Sequence, residues 1–291
     1  MMKVLVLGAG LVAGPTVQYL LDHGFFVTVV SIEAATAEAL IKKHPNGRAL
    51  VMDVNDRLAL GELIAGHDLA VSLLPAVMHV MVAEICITKR KHLVTASYVK
   101  PEMKALHEAA IEAGVLLLNE IGLDPGIDHM SAMEVIHRAA REGGKVVEFS
   151  SSCGGLPAPD ANDNPLGYKF SWSPRGVLLA ARNSARFLKE GKIVEIPDEE
   201  LFDHYSTVQI GDLGDFEVYP NRNSLDYIDI YGLHEARGVF RGTIRNVGHC
   251  ESWRKMVDFG LFDDKPQAAA GLTYKKFMAR LICDEIGRAH V

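Results

Sequence analysis

The chain lacks a basic tract, a zinc- or disulfide-type cysteine spacing and an N-terminal apolar stretch long enough to span a bilayer, and each absence removes a class of function. With a formal net charge of −7 it has no electrostatic footprint for nucleic acid. Its cysteines, Cys86, Cys153, Cys250 and Cys283, are widely separated and fit no metal or redox motif, so reduced thiols are expected. No two of the 12 histidines fall in a metal-protease pattern, and no metal site is expected. His79 and His129 stand near strand ends, where a lone histidine reads as structural. The first apolar run, Val4–Leu7, is far short of the roughly 20 residues of a membrane span and passes into glycines without a secretory cleavage pattern. The expectation is a soluble cytoplasmic protein with neither a nucleic-acid nor a membrane partner.

At 291 residues and 48% hydrophobic composition, the chain holds one large or two ordinary domains with a real core. From Lys3 to Asn119, short β-branched runs alternate with longer amphipathic ones, the pattern of a parallel sheet with crossover helices. Strands are expected at Val4–Leu7, Phe26–Val30, Ala49–Met52, Leu69–Leu73, Leu93–Thr95 and Val115–Leu118. Pro15 suits the first turn of a helix and Gly24 its C-terminal stop. Lys100–Ala113 and Ser131–Glu142 read as further helices. Beyond them come glycine, proline and asparagine loops and hairpin-like segments, including a turn at KEGK, 189–192, and a strand at Gly238–Arg245. The fold class expected is α/β: an N-terminal Rossmann-type doubly wound parallel sheet over 1–124, followed by a second α/β (α+β) substrate-binding and dimerisation domain over 125–291.

Within GAGLVA, Gly8, Gly10 and Ala13 match the G-x-G-x-x-A dinucleotide fingerprint between a strand and a helix. Gly8 permits the tight turn, Gly10 lets pyrophosphate approach the backbone, and Ala13 lets helix and strand pack closely. Leu11 and Val12 complete the turn, where free N–H groups and the helix dipole favour phosphate. Ser31, ending the second strand, and Asp53 with Val54, after the third, are candidates for the adenosine side. Leu74, in SLLP, and Leu123 would border the nicotinamide. An acid after the second strand would hold a ribose diol and an arginine a 2′-phosphate. Ile32 supplies neither, Glu33 stands a residue or two late, and Lys42 or Lys43 would serve only if the next helix were suitably placed.

In VLLLNEIGLDPGIDH, 115–129, an apolar strand breaks abruptly into carboxylates, glycines and a proline. Ligands in open α/β sheets lie beyond the carboxyl ends of strands, so Glu120, Asp124 and Asp128 are candidates to hold an amino group or a proton. A solvated surface turn is the alternative.

Taken together, SLLP (72–75), TASYVKP (95–101), NEIGLDPGIDH (119–129), CGGLPAP (153–159), DNPLGYKFSWSPRGVLL (163–179), YPNR (219–222) and FRGTIR (240–245) resemble the saccharopine reductase family, the glutamate-forming saccharopine dehydrogenases. The likeness runs through about Lys265. It implies condensation of L-glutamate with α-aminoadipate semialdehyde and reduction of the imine to saccharopine with NADP or NAD, in a homodimer when full length. It further implies that Ser97 and Tyr98 contact substrate near the cofactor, that Asp124 holds an ammonium, and that Arg222 and Thr243 bind substrate carboxylate, with Arg175 either the next cationic candidate or a structural arginine near the cofactor. Asp124, Tyr98 and bound water are the available proton carriers. Cys153 is expected as a pocket wall, and Phe170 and Trp172 as domain core, with packing against ligand as the alternative.

Two departures stand out. Family members commonly carry an arginine where this chain has Ile32, which leaves NADP and NAD both open. Relatives also continue well past this C-terminus, and IGRAHV (286–291) reads like a translated sequencing adapter, so a truncated chain is expected. The competing functional readings are a carboxynorspermidine synthase-like C–N reductase and a non-catalytic dinucleotide-binding protein.

Overall fold

The structure, a computed structural model, describes residues 1–263, 266 and 269–288, with side chains as far as 282. It divides into two compact units, Met1–Ser131 and Ala132–Val291.

The first unit alternates strand and helix: β1 (Lys3–Leu7), α1 (Ala13–Asp22), β2 (Phe26–Ser31), α2 (Ala34–Ile41), β3 (Gly47–Val51), α3 (Arg57–Ala65), β4 (Leu69–Ser72), α4 (His79–Lys89), β5 (His92–Thr95), α5 (Pro101–Lys104), α6 (His107–Ala113) and β6 (Leu117–Leu118). The strands form one parallel sheet in the order β3-β2-β1-β4-β5-β6. That is the doubly wound order with its switch point between β1 and β4.

The alternation along β1 shows why it has two faces. Val4 and Val6 pack with Val17, Leu21, Ala37 and Ile41 from α1 and α2, whereas Leu5 and Leu7 pack with Leu60, Ile64, Val82 and Cys86 from α3 and α4. Successive side chains of a strand point to opposite sides, so an unbroken apolar run is what a sheet covered on both faces requires. All six expected strands are present. β6 is shorter than expected, and the expected helix 100–113 is split, with Leu106 N–H turning back to Met103 O in a 3-10 step at 3.1 Å.

The helix α7 (Ile127–Arg141) contains the division between the units and starts four residues before the expected Ser131. The second unit continues with β7 (Glu148–Cys153), α8 (Pro174–Ala180), β8 (Ala185–Lys189), β9 (Lys192–Ile196), β10 (Ser206–Gln209), β11 (Asp215–Pro220), α9 (Asp226–Tyr231), β12 (Gly238–Asn246), α10 (His249–Asp258) and α11 (Tyr274–Arg288). Its sheet is antiparallel except for β7, which runs parallel to β12, so the unit is α+β. KEGK forms the expected two-residue hairpin turn. Glu190 and Gly191 have φ of 52° and 77°, the left-handed pair that matches the twist of the flanking strands.

One sheet face meets α10 in a cluster including Phe202, Tyr219, Cys250 and Trp253, while Val239 packs with Ala132, Tyr227 and Tyr231 in another. Phe170 and Trp172 are not core within this unit: they are 45% and 42% exposed. Trp172 Cζ3 lies where it would meet a Cβ on Gly176 at 2.7 Å, so its ring covers the first turn of α8 and leaves the rest in solvent. Of the suspected adapter segment, residues 289–291 lie outside the described residues. Among the described residues no helix is long and apolar enough to cross a membrane.

Candidate functional site

In the first unit the sequence-predicted residues gather at the carboxyl ends of the strands. Gly8 leaves β1 with φ 102°, and a Cβ there would meet Leu73 O at 3.0 Å, so the turn into α1 is closed to any larger residue. Around Gly10 nothing lies within 4 Å of a Cβ position. Ala13 is fully buried at the start of α1, while Leu11 and Val12 are exposed. Val12, in the N-cap position, makes no side-chain capping bond, and Ala13 N–H turns back to Gly10 O at 3.1 Å, so no side chain occupies the N-terminus of the helix. An open glycine turn under an uncapped helix N-terminus fits a dinucleotide pyrophosphate.

Around this turn, Ser31 ends β2, and Met52 N–H donates to Ser31 O at 3.1 Å, drawing Asp53 to the same edge. Asp53 Oδ1 accepts from both the backbone and the side-chain amide of Asn55, each at 2.9 Å. Val54 is buried in the apolar core and Leu74 packs partly against it, whereas Leu123 is exposed.

Farther along the sheet, Tyr98 hydroxyl donates to Asp124 Oδ1, so the two residues expected at the reacting end are in direct contact. The loop that carries Asp124 is drawn tightly to β5. Ile121 N–H donates to Thr95 O at 3.2 Å, and Glu120 N–H to Ser97 O at 3.3 Å. Gly126 N–H donates to Asp128 Oδ1 at 2.7 Å, so Asp128, nearly buried, braces the loop rather than facing solvent. Glu120 accepts Val99 N–H at 2.8 Å through Oε1 and lies 3.1 Å from His129 Nε2 through Oε2.

Sequence reading took His79 as a structural histidine and did not foresee its partners. It opens α4, is 4% exposed, and joins the ends of three segments: Nδ1 to Ser72 Oγ at 2.9 Å, Nε2 to Ser97 Oγ at 2.8 Å and to Thr95 Oγ1 at 3.1 Å. Burial pushes its pKa down, so the imidazole is neutral, with one nitrogen donating and the other accepting. A cavity of about 20 Å³, room for one water, lies among His79, Ser97, Tyr98 and Asn119. The available signal was the string of hydroxyl residues Ser72, Thr95 and Ser97 at strand ends, which need a common partner once buried. A larger hollow of about 460 Å³, beside Lys3, Phe26 and Arg48, lies at the amino ends of the strands and away from this chemistry.

In the second unit, Cys153 on β7, Thr243 on β12 and Tyr219 on β11 are abreast in register, so their side chains share one face. Burial raises the Tyr219 pKa, with the Arg245 charge and Thr243 opposing. Arg222 lies two residues past the end of β11 in a left-handed conformation, φ 53°, and is exposed. Arg175 stands exposed in the first turn of α8. Burial pushes the thiol of Cys86, in the first unit, up to about 12 and raises that of Cys250, in the second, so neither is a nucleophile at neutral pH. Among the described residues no three histidine, cysteine or acidic side chains form a metal-binding group.

The comparisons with known proteins follow this division. Residues 4–118 match the family described as saccharopine dehydrogenase NADP binding domain, and residues 122–282 match saccharopine dehydrogenase C-terminal domain. A Schizosaccharomyces pombe protein named saccharopine dehydrogenase (NADP+, L-glutamate-forming) is 45% identical over 97% of this chain, which spans 64% of that relative's length. The mouse mitochondrial alpha-aminoadipic semialdehyde synthase is 40% identical over 98% of the chain and 31% of its own. Among solved structures, the apo L-Glu-forming saccharopine dehydrogenase of Saccharomyces cerevisiae superposes with a TM-score of 0.82 at 43% identity, over 92% of this chain and 60% of that one.

Proposed function

The chain belongs to the saccharopine dehydrogenase family, and from that premise we propose that it carries the dinucleotide- and substrate-binding residues of an oxidoreductase that interconverts saccharopine with L-glutamate and α-aminoadipate semialdehyde. In the synthetic direction, the amino group of glutamate adds to the aldehyde carbon and water leaves. The resulting C=N bond takes a hydride at carbon and a proton at nitrogen. When bound, NADPH or NADH would supply that hydride, and NADP+ or NAD+ would accept it in the reverse direction.

The observation that carries this reading is the Tyr98–Asp124 hydrogen bond at the same edge of the sheet as the Gly8–Gly10 turn. Gly8, Gly10 and the start of α1 hold the pyrophosphate. Asp124, which accepts from Tyr98, stabilises the charge of a substrate ammonium while Tyr98 keeps the carboxylate oriented. Ser97 presents its hydroxyl beside them. Arg222 and Thr243 take substrate carboxylate, for which the guanidinium fork is suited, and Arg175 takes a further one. Hydride transfer to an imine needs no covalent enzyme intermediate, so Cys153 acts as a wall. A homodimer in the cytoplasm, at full length, belongs to the same proposal.

The test is absorbance at the reduced-nicotinamide band with saccharopine and each oxidised dinucleotide in turn. Saccharopine-dependent reduction that disappears in Asp124→Asn and Arg222→Ala supports the assignment. Turnover unchanged in both variants overturns the substrate site. Reduction with carboxynorspermidine in place of saccharopine would move the substrate to that C–N reductase class.

A further inference from the structure

We infer that the adenosine end of the dinucleotide site in this chain is built for a ribose diol and against a 2′-phosphate, with Glu33 and Ile32 as the specificity-determining pair. The inference rests on the dinucleotide reading above and runs opposite to the cofactor in the relatives' names.

The end of β2 offers no cation. Ile32 follows Ser31 directly and is 75% exposed, so an aliphatic side chain covers the place where a guanidinium would meet phosphate. From Val29 to Ala37 and from Val51 to Asp56 there is no lysine or arginine, while Glu33, Asp53 and Asp56 all lie in those two segments. The β2–β3 register sets them side by side, with Ser31 opposite Val51 and bonded through its carbonyl to Met52.

The neighbouring cations are held elsewhere. Lys42 caps the far end of α2, about 12 Å along the helix axis from its first residue. Arg48 pairs with Thr28, three residues back from Ser31, which is about 10 Å toward the amino end of the strands. Arg57 Nη2 is 2.7 Å from Glu84 Oε2.

The hydroxyls at the same place are also committed. Thr36 hydroxyl donates to Glu33 O at 2.8 Å, which leaves the Ser31 hydroxyl to donate to Thr36 Oγ1 at 2.8 Å, and Glu33 N–H donates to Ser31 Oγ at 3.1 Å. This closed ring uses both hydroxyl protons on the protein itself. What remains is the Glu33 carboxylate, an acceptor exposed to solvent that makes no capping bond to α2. A carboxylate accepts from the two hydroxyls of a ribose and repels a phosphate dianion.

The experiment is a titration of the 291-residue chain with NADH and with NADPH, read by nicotinamide fluorescence, in the wild type and in Ile32→Arg and Glu33→Gln. Expected is binding of NADH about tenfold or more tighter than NADPH, a preference that Ile32→Arg reverses and Glu33→Gln narrows. Tighter binding of NADPH by the wild type, or a preference unmoved by both variants, overturns this inference and leaves the dinucleotide reading standing. If a chain with native circular dichroism binds neither, the dinucleotide reading falls and this inference with it.

Discussion

His79 Nε2 lies 2.8 Å from Ser97 Oγ while the opposite nitrogen, Nδ1, lies 2.9 Å from Ser72 Oγ, so one buried imidazole fixes the rotamer of a hydroxyl at the proposed reacting end. Its neutrality matters to that role, because a charged ring would have two donors and no acceptor to offer.

Replacing the ring tests this positioning role. His79→Ala leaves the Ser72, Thr95 and Ser97 hydroxyls without their common partner and opens a cavity, for an expected loss of about 3 kcal/mol in unfolding free energy. His79→Gln keeps a donor and an acceptor and is expected to recover much of that loss. In turnover, kcat is expected to fall about tenfold in His79→Ala with KM for the dinucleotide unchanged, whereas a purely structural role would leave kcat of the folded fraction intact.

The loop carrying Asp124 depends on Gly126. A Cβ there would lie 2.0 Å from Gly122 O, and its φ is 150°. Gly126→Ala therefore displaces the backbone on both sides and is expected to cost about 3 kcal/mol or more in stability, read by chemical denaturation, and to abolish turnover. A variant with wild-type stability and activity would show that the loop is held differently.

His249 gives the second unit an acid sensitivity. It is 1% exposed, stacks on Trp253 with ring centres 4.5 Å apart, and has its pKa lowered to about 3 by burial first and by the Arg245 charge second. The folded pKa lies below the unfolded value, so the unfolded chain binds the proton first as pH falls. The stability that follows from the neutral ring is complete above about pH 6.5 and is lost between there and pH 3, with a slope of up to about 1.4 kcal/mol per pH unit. Unfolding free energies from urea denaturation at pH 7 and pH 5 are expected to differ less in His249→Phe than in the wild type, by about 2 kcal/mol.

Glu217 is 3% exposed and accepts the N–H groups of Gly248 and Cys250, each at 2.7 Å, at the start of α10. It also sits opposite Arg245 in the β11–β12 register. Glu217→Ala strands two backbone donors and removes the carboxylate facing a buried guanidinium, for an expected loss of about 3 kcal/mol measured by thermal or chemical unfolding. Glu217→Gln, which keeps one acceptor oxygen, is expected to lose less.

Much of this was legible because local chemistry and global fold agreed. The run Val4–Leu7 reads as a doubly covered strand, and GAGLVA as a turn that only small residues permit, because each rests on a nearest-neighbour constraint. Glu190–Gly191 was legible as a hairpin for the same reason. The acidic loop was half legible. Asp124 meets Tyr98, but Asp128 turned inward to a backbone N–H two residues away, a choice that residue type alone does not fix.

What stayed hidden depends on packing at long sequence separation. His79 acquires its role from Thr95 and Ser97, 16 and 18 residues away, and only when β4 and β5 are adjacent. Trp172 looked like core by composition, yet in its own unit it covers a single helical turn. The lysines at 42 and 43 could be assigned only once α2 was seen to carry them away from the end of β2.

The nine-residue strand β12 pairs with β7, β8 and β11, and its buried residues reach both sides of its sheet. A strand so enclosed exchanges its amide hydrogens only when the sheet around it comes apart, so its amides would be among the last in the second unit to take up deuterium. Thr243 rides on that strand. The proposed carboxylate contact at Thr243 would then persist through the local openings that release β9 or β10, and would be lost only in the event that costs the second unit its sheet.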